Sequence, residues 1–180
     1  MVIKHEGGYA NLDRKIDKGG ETYIGISRVN HPSWKGWEIL DKIPNKNRND
    51  IFENAELESL VIDFYKNYFN QRKLNLIQNE TITLCIFDFC VNSGGAIKVI
   101  QEMLNKKYNA NLTADNKFGQ QTATIINKIQ NIKELNNNIL DARLSYLKKL
   151  IESDKKNNGV NAKLHKNWKG WQNRVKSFRI

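Results

Sequence analysis

The sequence predicts a mainly α-helical protein, and three observations carry that prediction. The stretch Ile82 to Val91, with Leu84, Cys85, Ile86, Phe87, Phe89 and Cys90, is apolar nearly all round, as expected of a central helix surrounded by others. Leu57, Leu60, Val61, Phe64, Tyr65 and Tyr68 recur at helical spacing and mark an amphipathic helix of about sixteen residues with one face inward. Between Glu134 and Glu152, the apolar residues Ile139, Leu140, Leu144, Leu147, Leu150 and Ile151 mark a longer helix.

The remaining elements follow in chain order. From Tyr9 to Gly20 the pattern is polar and turn-rich, and admits a small hairpin. Thr22 is expected to cap a short helix running to about Asn30 and stopped by Pro32. Ser33 then caps a second, 34 to 43, closed by Pro44, and Asn45 to Asp50 reads as a loop too polar to pack. Beyond the central helix, Asn92-Ser93-Gly94-Gly95 breaks the chain. Ile97, Ile100, Met103 and Leu104 then make one helix, and Ala123, Ile125, Ile126 and Ile129 another. A final helix is expected from about Asn161 to Phe178. Trp-Lys-Gly-Trp occurs at 34–37 and again at 168–171, but four residues are too few to constitute a repeat.

A chain of 180 residues, 39% hydrophobic and 27% charged, buries a core without disulfides. Its size fits one domain, or one domain with a tightly joined subdomain, and a monomer is expected. No apolar run has the length of a membrane span and no signal peptide is visible, so the expected route is cytoplasmic synthesis followed by release or export. The net charge of +10 asks for an anionic partner, either nucleic acid or bacterial cell wall. The lysines are dispersed and no nucleic-acid motif accompanies them, which argues against nucleic acid. His5, His31 and His165 match no metal spacing, and no metal is expected. Cys85 and Cys90 read as buried small hydrophobes.

Chemistry concentrates near the start. Glu6 lies in His5-Glu6-Gly7-Gly8-Tyr9, and Asp17 opens Asp17-Lys18-Gly19-Gly20-Glu21-Thr22-Tyr23-Ile24-Gly25-Ile26-Ser27. Two carboxylates and a hydroxyl on a glycine-rich frame are the equipment for protonating a leaving oxygen and positioning a water. Asp17 has a second reading as the residue that sets the turn before Gly19-Gly20, and Thr22 has one as a helix cap. Asp88 is the one charge in the apolar helix and must meet a partner, for which backbone donors of a neighbouring loop are expected. Glu21 and Glu38 have nothing beyond being carboxylates to single them out.

The pairing of Glu-Gly-Gly-Tyr with Asp-x-Gly-Gly-x-Thr-x-x-Gly-Ile-Ser resembles glycoside hydrolase family 108, which contains N-acetylmuramidases of phage endolysins and secretion activator proteins. Phe87-Asp88-x-x-Val91-Asn92-Ser93-Gly94 and Gly170-Trp171-x-Asn173-Arg174-Val175 resemble its later motifs, so the likeness spans nearly the whole chain. It implies a lysozyme-like helical fold with Glu6 as catalytic acid, Asp17 and Thr22 as its helpers, and no cofactor. It also implies two parts packed as one unit: a catalytic part at 1–91 and a peptidoglycan-binding-like helical part at 92–180. Within the latter, Asn111 to Thr122 resembles the turn of peptidoglycan-binding modules. The implied partner is the glycan strand of peptidoglycan, with Tyr9, Gly19, Gly20, Tyr23, Asn92 and Ser93 as candidate substrate contacts. Two other activities fit the same motifs: a lytic transglycosylase, which needs only one acid, and a non-catalytic wall-binding accessory of secretion.

Overall fold

The computed structural model describes residues 6–11 and 20–180. They are mainly helical, with one small antiparallel sheet, and divide into two compact units, Met1–Gln71 and Arg72–Ile180. Packing thus divides the chain at Gln71, whereas the division expected after Val91 follows the motifs.

The first unit carries the sheet, β1 (Tyr9–Asn11), β2 (Glu21–Tyr23) and β3 (Ile26–Ser27), in that order. Tyr9 pairs with Tyr23 and Ala10 with Thr22 across the first ladder; Thr22 pairs with Ser27 and Tyr23 with Ile26 across the second. Thr22 therefore lies in a strand, and the short helix expected from it does not form. The reason is the turn at Ile24 and Gly25, whose φ angles of 43° and 75° interrupt any right-handed helix. Positive φ at both central residues is the signature of a two-residue hairpin, and the flanking Thr22, Tyr23 and Ile26 suit a pleated surface.

The segment at 45–50 is a loop, but it does pack. Tyr9 N–H donates to the Asp50 carbonyl at 2.8 Å and Asn49 N–H to the Tyr9 carbonyl at 2.7 Å, so loop backbone satisfies the outer edge of β1. A Cβ at Gly8 would collide with the Asn49 and Asp50 carbonyl oxygens, which explains the second glycine of the Gly7-Gly8 pair. Helix α1 (Gly36–Leu40) is shorter than expected. Lys46 closes it by donating to the Leu40 and Ile43 carbonyls, both at 2.9 Å. Helix α2 (Ala55–Gln71) matches the periodicity, starts where Asn54 Oδ1 accepts from Leu57 N–H, and buries Leu57, Val61 and Tyr65.

The second unit is built on α3 (Glu80–Asn92), α4 (Ala96–Tyr108), α5 (Gln120–Lys128), α6 (Ile132–Asn158) and α7 (Trp168–Lys176). Asn79 caps α3 and Asn131 caps α6, each accepting a backbone N–H three residues on at 3.0 Å. Every residue of α3 from Cys85 to Cys90 is buried, as expected of the central helix. Both cysteines are free, and burial pushes each thiol from 9.0 up to about 12. Helix α6 has 27 residues, outrunning its apolar stripe at both ends, and packs against α3, α4 and α7. The loop after α4 is tied back to it: Asn105 exchanges two bonds of 2.7 Å with Leu112, and Gln101 bonds Asp115, Asn116 and Lys117.

The last expected helix is broken. After Gly159 at φ 52°, short 3-10 turns at Gly159–Asn161 and Leu164–Asn167 precede α7. Asp154 fixes this detour by accepting the Lys163 and Leu164 N–H groups at 2.8 Å, which hold its carboxyl below the usual range. The two Trp-Lys-Gly-Trp stretches have different settings, one running into α1 and the other opening α7.

Candidate active site

Glu6 is half-buried and stands beside the hairpin turn between β2 and β3. A Cβ placed on Gly25 would be 2.6 Å from Glu6 Oε2 and 2.7 Å from Tyr65 Oη, so the carboxylate and the phenol converge on the space that this glycine leaves. The turn itself is held in an unusual conformation. Ile24 is a β-branched residue at positive φ, an outlier that persists only where surrounding contacts over-determine it. Those contacts are present: Tyr65 Oη donates to the Ile24 carbonyl at 2.7 Å, and Ile24 N–H donates to the Gly8 carbonyl at 3.3 Å. Gly8 is two residues from Glu6, so the turn that receives the carboxylate is bonded to the segment that carries it.

Strand β2 is fixed just as firmly. Tyr9 Oη donates to Glu21 Oε1 at 2.9 Å, and Arg28 bridges Glu21 at 2.8 Å and Asp41 at 2.6 and 2.7 Å while its guanidinium lies 5.2 Å from the Trp37 ring centre. Burial and then the bond to Glu21 push the Tyr9 phenol up to about 12, and Arg28 holds the Asp41 carboxyl below its ordinary value. On the same face, Tyr23 stacks on Phe52 at 5.8 Å and Trp34 at 6.5 Å. Alternation then directs Thr22, which sits between Glu21 and Tyr23, to the opposite face with its pair partners Ala10 and Ser27.

The expected site residues have varied settings. Tyr9 and Tyr23, both candidate substrate contacts, are 5% and 2% exposed and pack in the core of the first unit. Gly20, at φ 61°, leads into β2; Asp17 and Gly19 lie outside the described residues. Glu21, which nothing in the sequence recommended, joins β2 to α1 through Arg28. The sequence alone gives neither Gly25 nor Tyr65 a place in the site; the one signal for Gly25 is its position in the Gly-Ile-Ser end of the motif. Among the described residues, no three His, Cys, Asp or Glu side chains cluster as metal ligands would.

In the second unit, Asp88 is fully buried and its partners are arginines, which corrects the expectation of loop backbone donors. Arg143 Nη1 donates at 2.8 Å, and Arg174 grips the carboxylate with Nε at 3.0 and 3.1 Å and Nη2 at 2.8 Å. Fork geometry against a carboxylate explains why arginine rather than lysine stands here. Arg143 also reaches Asn92 Oδ1 at 3.4 Å and lies 5.1 Å from the Phe89 ring centre. The two later motifs therefore meet in the fold, since Asp88 belongs to one and Arg174 to the other. Asn92 and Ser93 are half-buried at the end of α3, with Asn92 held by this cluster.

Comparison with known proteins agrees with this architecture. The structure of Brucella abortus SagA is similar to this chain with a TM-score of 0.63 and 23% identity, over 99% of this chain and 87% of that one. At that identity the likeness is one of fold, and it bears out the mainly helical, lysozyme-like expectation. No curated protein matches the chain. The sequence pattern described as glycosyl hydrolase 108 matches residues 1–94, more than half of the 180, and covers Glu6, the hairpin and α3. The chain belongs to the glycosyl hydrolase 108 family.

Proposed function

We propose that this chain is an N-acetylmuramidase, hydrolysing the β-1,4 bond between N-acetylmuramic acid and N-acetylglucosamine in peptidoglycan, with Glu6 as the general acid. The observation that carries this reading is the seating of the Glu6 carboxylate against Gly25 at a strained turn. Strain of this kind collects where geometry serves function. In the reaction Glu6 protonates the leaving glycosidic oxygen. Asp17, aided by Thr22, either activates a water on the opposite face of the sugar or steadies the oxocarbenium-like charge. The helical part from Asn92 onward grips the wall polymer. The enzyme reaches the wall, in prophage-type lysis or in export of another protein, after synthesis in the cytoplasm.

Turbidity of purified cell walls tests the acid. Glu6→Gln should lower lysis by about 10²-fold or more while the melting temperature stays within a few degrees. Residual activity within about tenfold of the parent would remove Glu6 from that role. Mass spectrometry of the products separates hydrolysis, which adds water, from transglycosylation, which leaves anhydro-muramic ends. If Asp17 activates the water, Asp17→Asn should be nearly as damaging, and proton NMR of fresh products should show inversion at the anomeric carbon.

A further inference from the structure

The charge of the chain is unevenly shared. Residues 72–180 hold 19 of the 29 lysines and arginines and 8 of the 19 aspartates and glutamates, a net +11, which leaves residues 1–71 at −1. The same basic unit contains a groove of about 550 Å³ between α4 and α6. Lys98, Lys106 and Lys107 line its α4 side and Lys149 its α6 side, over a floor that includes Met103 and Tyr146. None of the ion pairs among the described residues uses these four lysines. Asp141, one of two carboxylates in the groove, is engaged by Arg179 at 2.7 Å. The other, Glu102, is exposed and lies four residues from both Lys98 and Lys106, on the same helix face.

This combination selects its ligand by chemistry. Four unpaired ammonium groups favour several carboxylates or phosphates. The apolar floor favours short hydrocarbon groups between the charges, and Glu102 favours a ligand that also bears an amine. A polyphosphate would match the lysines but leave both Glu102 and the apolar floor without a counterpart. A peptide of small apolar residues, with free carboxylates and an amine-bearing side chain, satisfies all three. We propose that the α4–α6 groove binds the stem peptides of peptidoglycan, so that the basic unit holds the peptide while another part of the chain works on the glycan. The inference rests on the wall-directed reading above, but it concerns binding and not cleavage.

The test uses the full chain carrying Glu6→Gln, so that the wall is not digested, and insoluble sacculi stripped of attached anionic polymers. Replacing Lys98, Lys106, Lys107 and Lys149 together by Gln should weaken co-sedimentation by about tenfold or more, since exposed charges each contribute a fraction of that factor. The control removes the same charge from Lys128, Lys133, Lys155 and Lys156, which are exposed and outside the groove, and should change binding less than about twofold. Equal losses in the two variants would reduce the effect to bulk charge and overturn the proposal, as would no loss in either. A synthetic stem tripeptide should shift the NMR resonances of Tyr146 and Met103 in the parent, whereas a peptide-free glycan fragment should not. Stronger shifts with inorganic polyphosphate than with the tripeptide would overturn the ligand class. Failure of wall lysis in the active chain would count against the muramidase reading while leaving these binding results intact.

Discussion

Gly25 holds open the space that the Glu6 carboxylate fills: a methyl group there would be 2.6 Å from Oε2. Two demands fall on this one position, because its φ of 75° also lies in the region that L side chains avoid. The glycine thus links the conformation of the hairpin to the placement of the Glu6 carboxylate. Tyr65, with Oη 2.7 Å from the same point, makes the third side of the arrangement.

Gly25→Ala should therefore do two separable things. Backbone strain should cost about 1–2 kcal/mol of stability, read as a lower denaturant midpoint. Displacing the carboxylate should reduce wall lysis by about 10²-fold, a loss that the stability change alone does not explain. Gly170→Ala is the matching control. Gly170 lies in α7 with nothing near its missing Cβ, so alanine should be neutral or should stabilise by about 0.5–1 kcal/mol. Full activity in Gly25→Ala would show that the acid role proposed for Glu6 does not need this space.

The Asp88 cluster predicts an order of damage. Asp88 and Arg143 have side-chain exposures of 0% and 1%, while Arg174 keeps 12%. Asp88→Asn leaves two cations facing one another with no counter-charge and should cost about 3–5 kcal/mol. Removing either arginine leaves a one-to-one pair and should cost less, with Arg143→Met worse than Arg174→Met because its site is closed to water. Urea unfolding of the three variants reads the order directly. A mild Asp88→Asn would mean that the cluster is not held by charge.

What was legible in the sequence was what period and composition encode. The stripe from Leu57 to Tyr68 gave α2, and the apolar run around Phe87 gave the central α3. The sheet was hidden because its strands have two or three residues, too few to display alternation. Thr22 fits a helix cap as well as a strand, and only the positive φ angles at Ile24 and Gly25 decide between them. The side chains of the loop at 45–50 are polar and signal no packing, whereas its backbone packs against Tyr9. Asp88 visibly required a partner, yet Arg174 is 86 residues away, and no local rule joins them. Glu6 was legible through its motif; its seat beside Gly25 and Tyr65 is tertiary, and had no local signature.

The two buried thiols give the last prediction, an alkaline one. Desolvation raises Cys85 and Cys90 from 9.0 to about 12, so the folded chain keeps protons that the unfolded chain releases. The sign follows: this contribution is intact below about pH 9, and it is lost as pH rises from there towards 12. Each thiol adds about 1.4 kcal/mol per pH unit to the decline once the unfolded form is fully ionised, so the pair sets a slope near 3 kcal/mol per unit. Tyr9, pushed up to about 12 from 10.0, acts in the same direction over the upper part of that window. Urea midpoints measured between pH 8 and pH 11 should fall steeply for the parent and less steeply for Cys85→Ala/Cys90→Ala, which retains every other titrating group. Iodoacetamide at pH 8 should label neither cysteine until urea unfolds the chain, because the thiolate is the reactive form. Parallel declines in the two proteins, together with rapid labelling of the folded parent, would show that the thiols are open to solvent and that their burial does not set the alkaline limit.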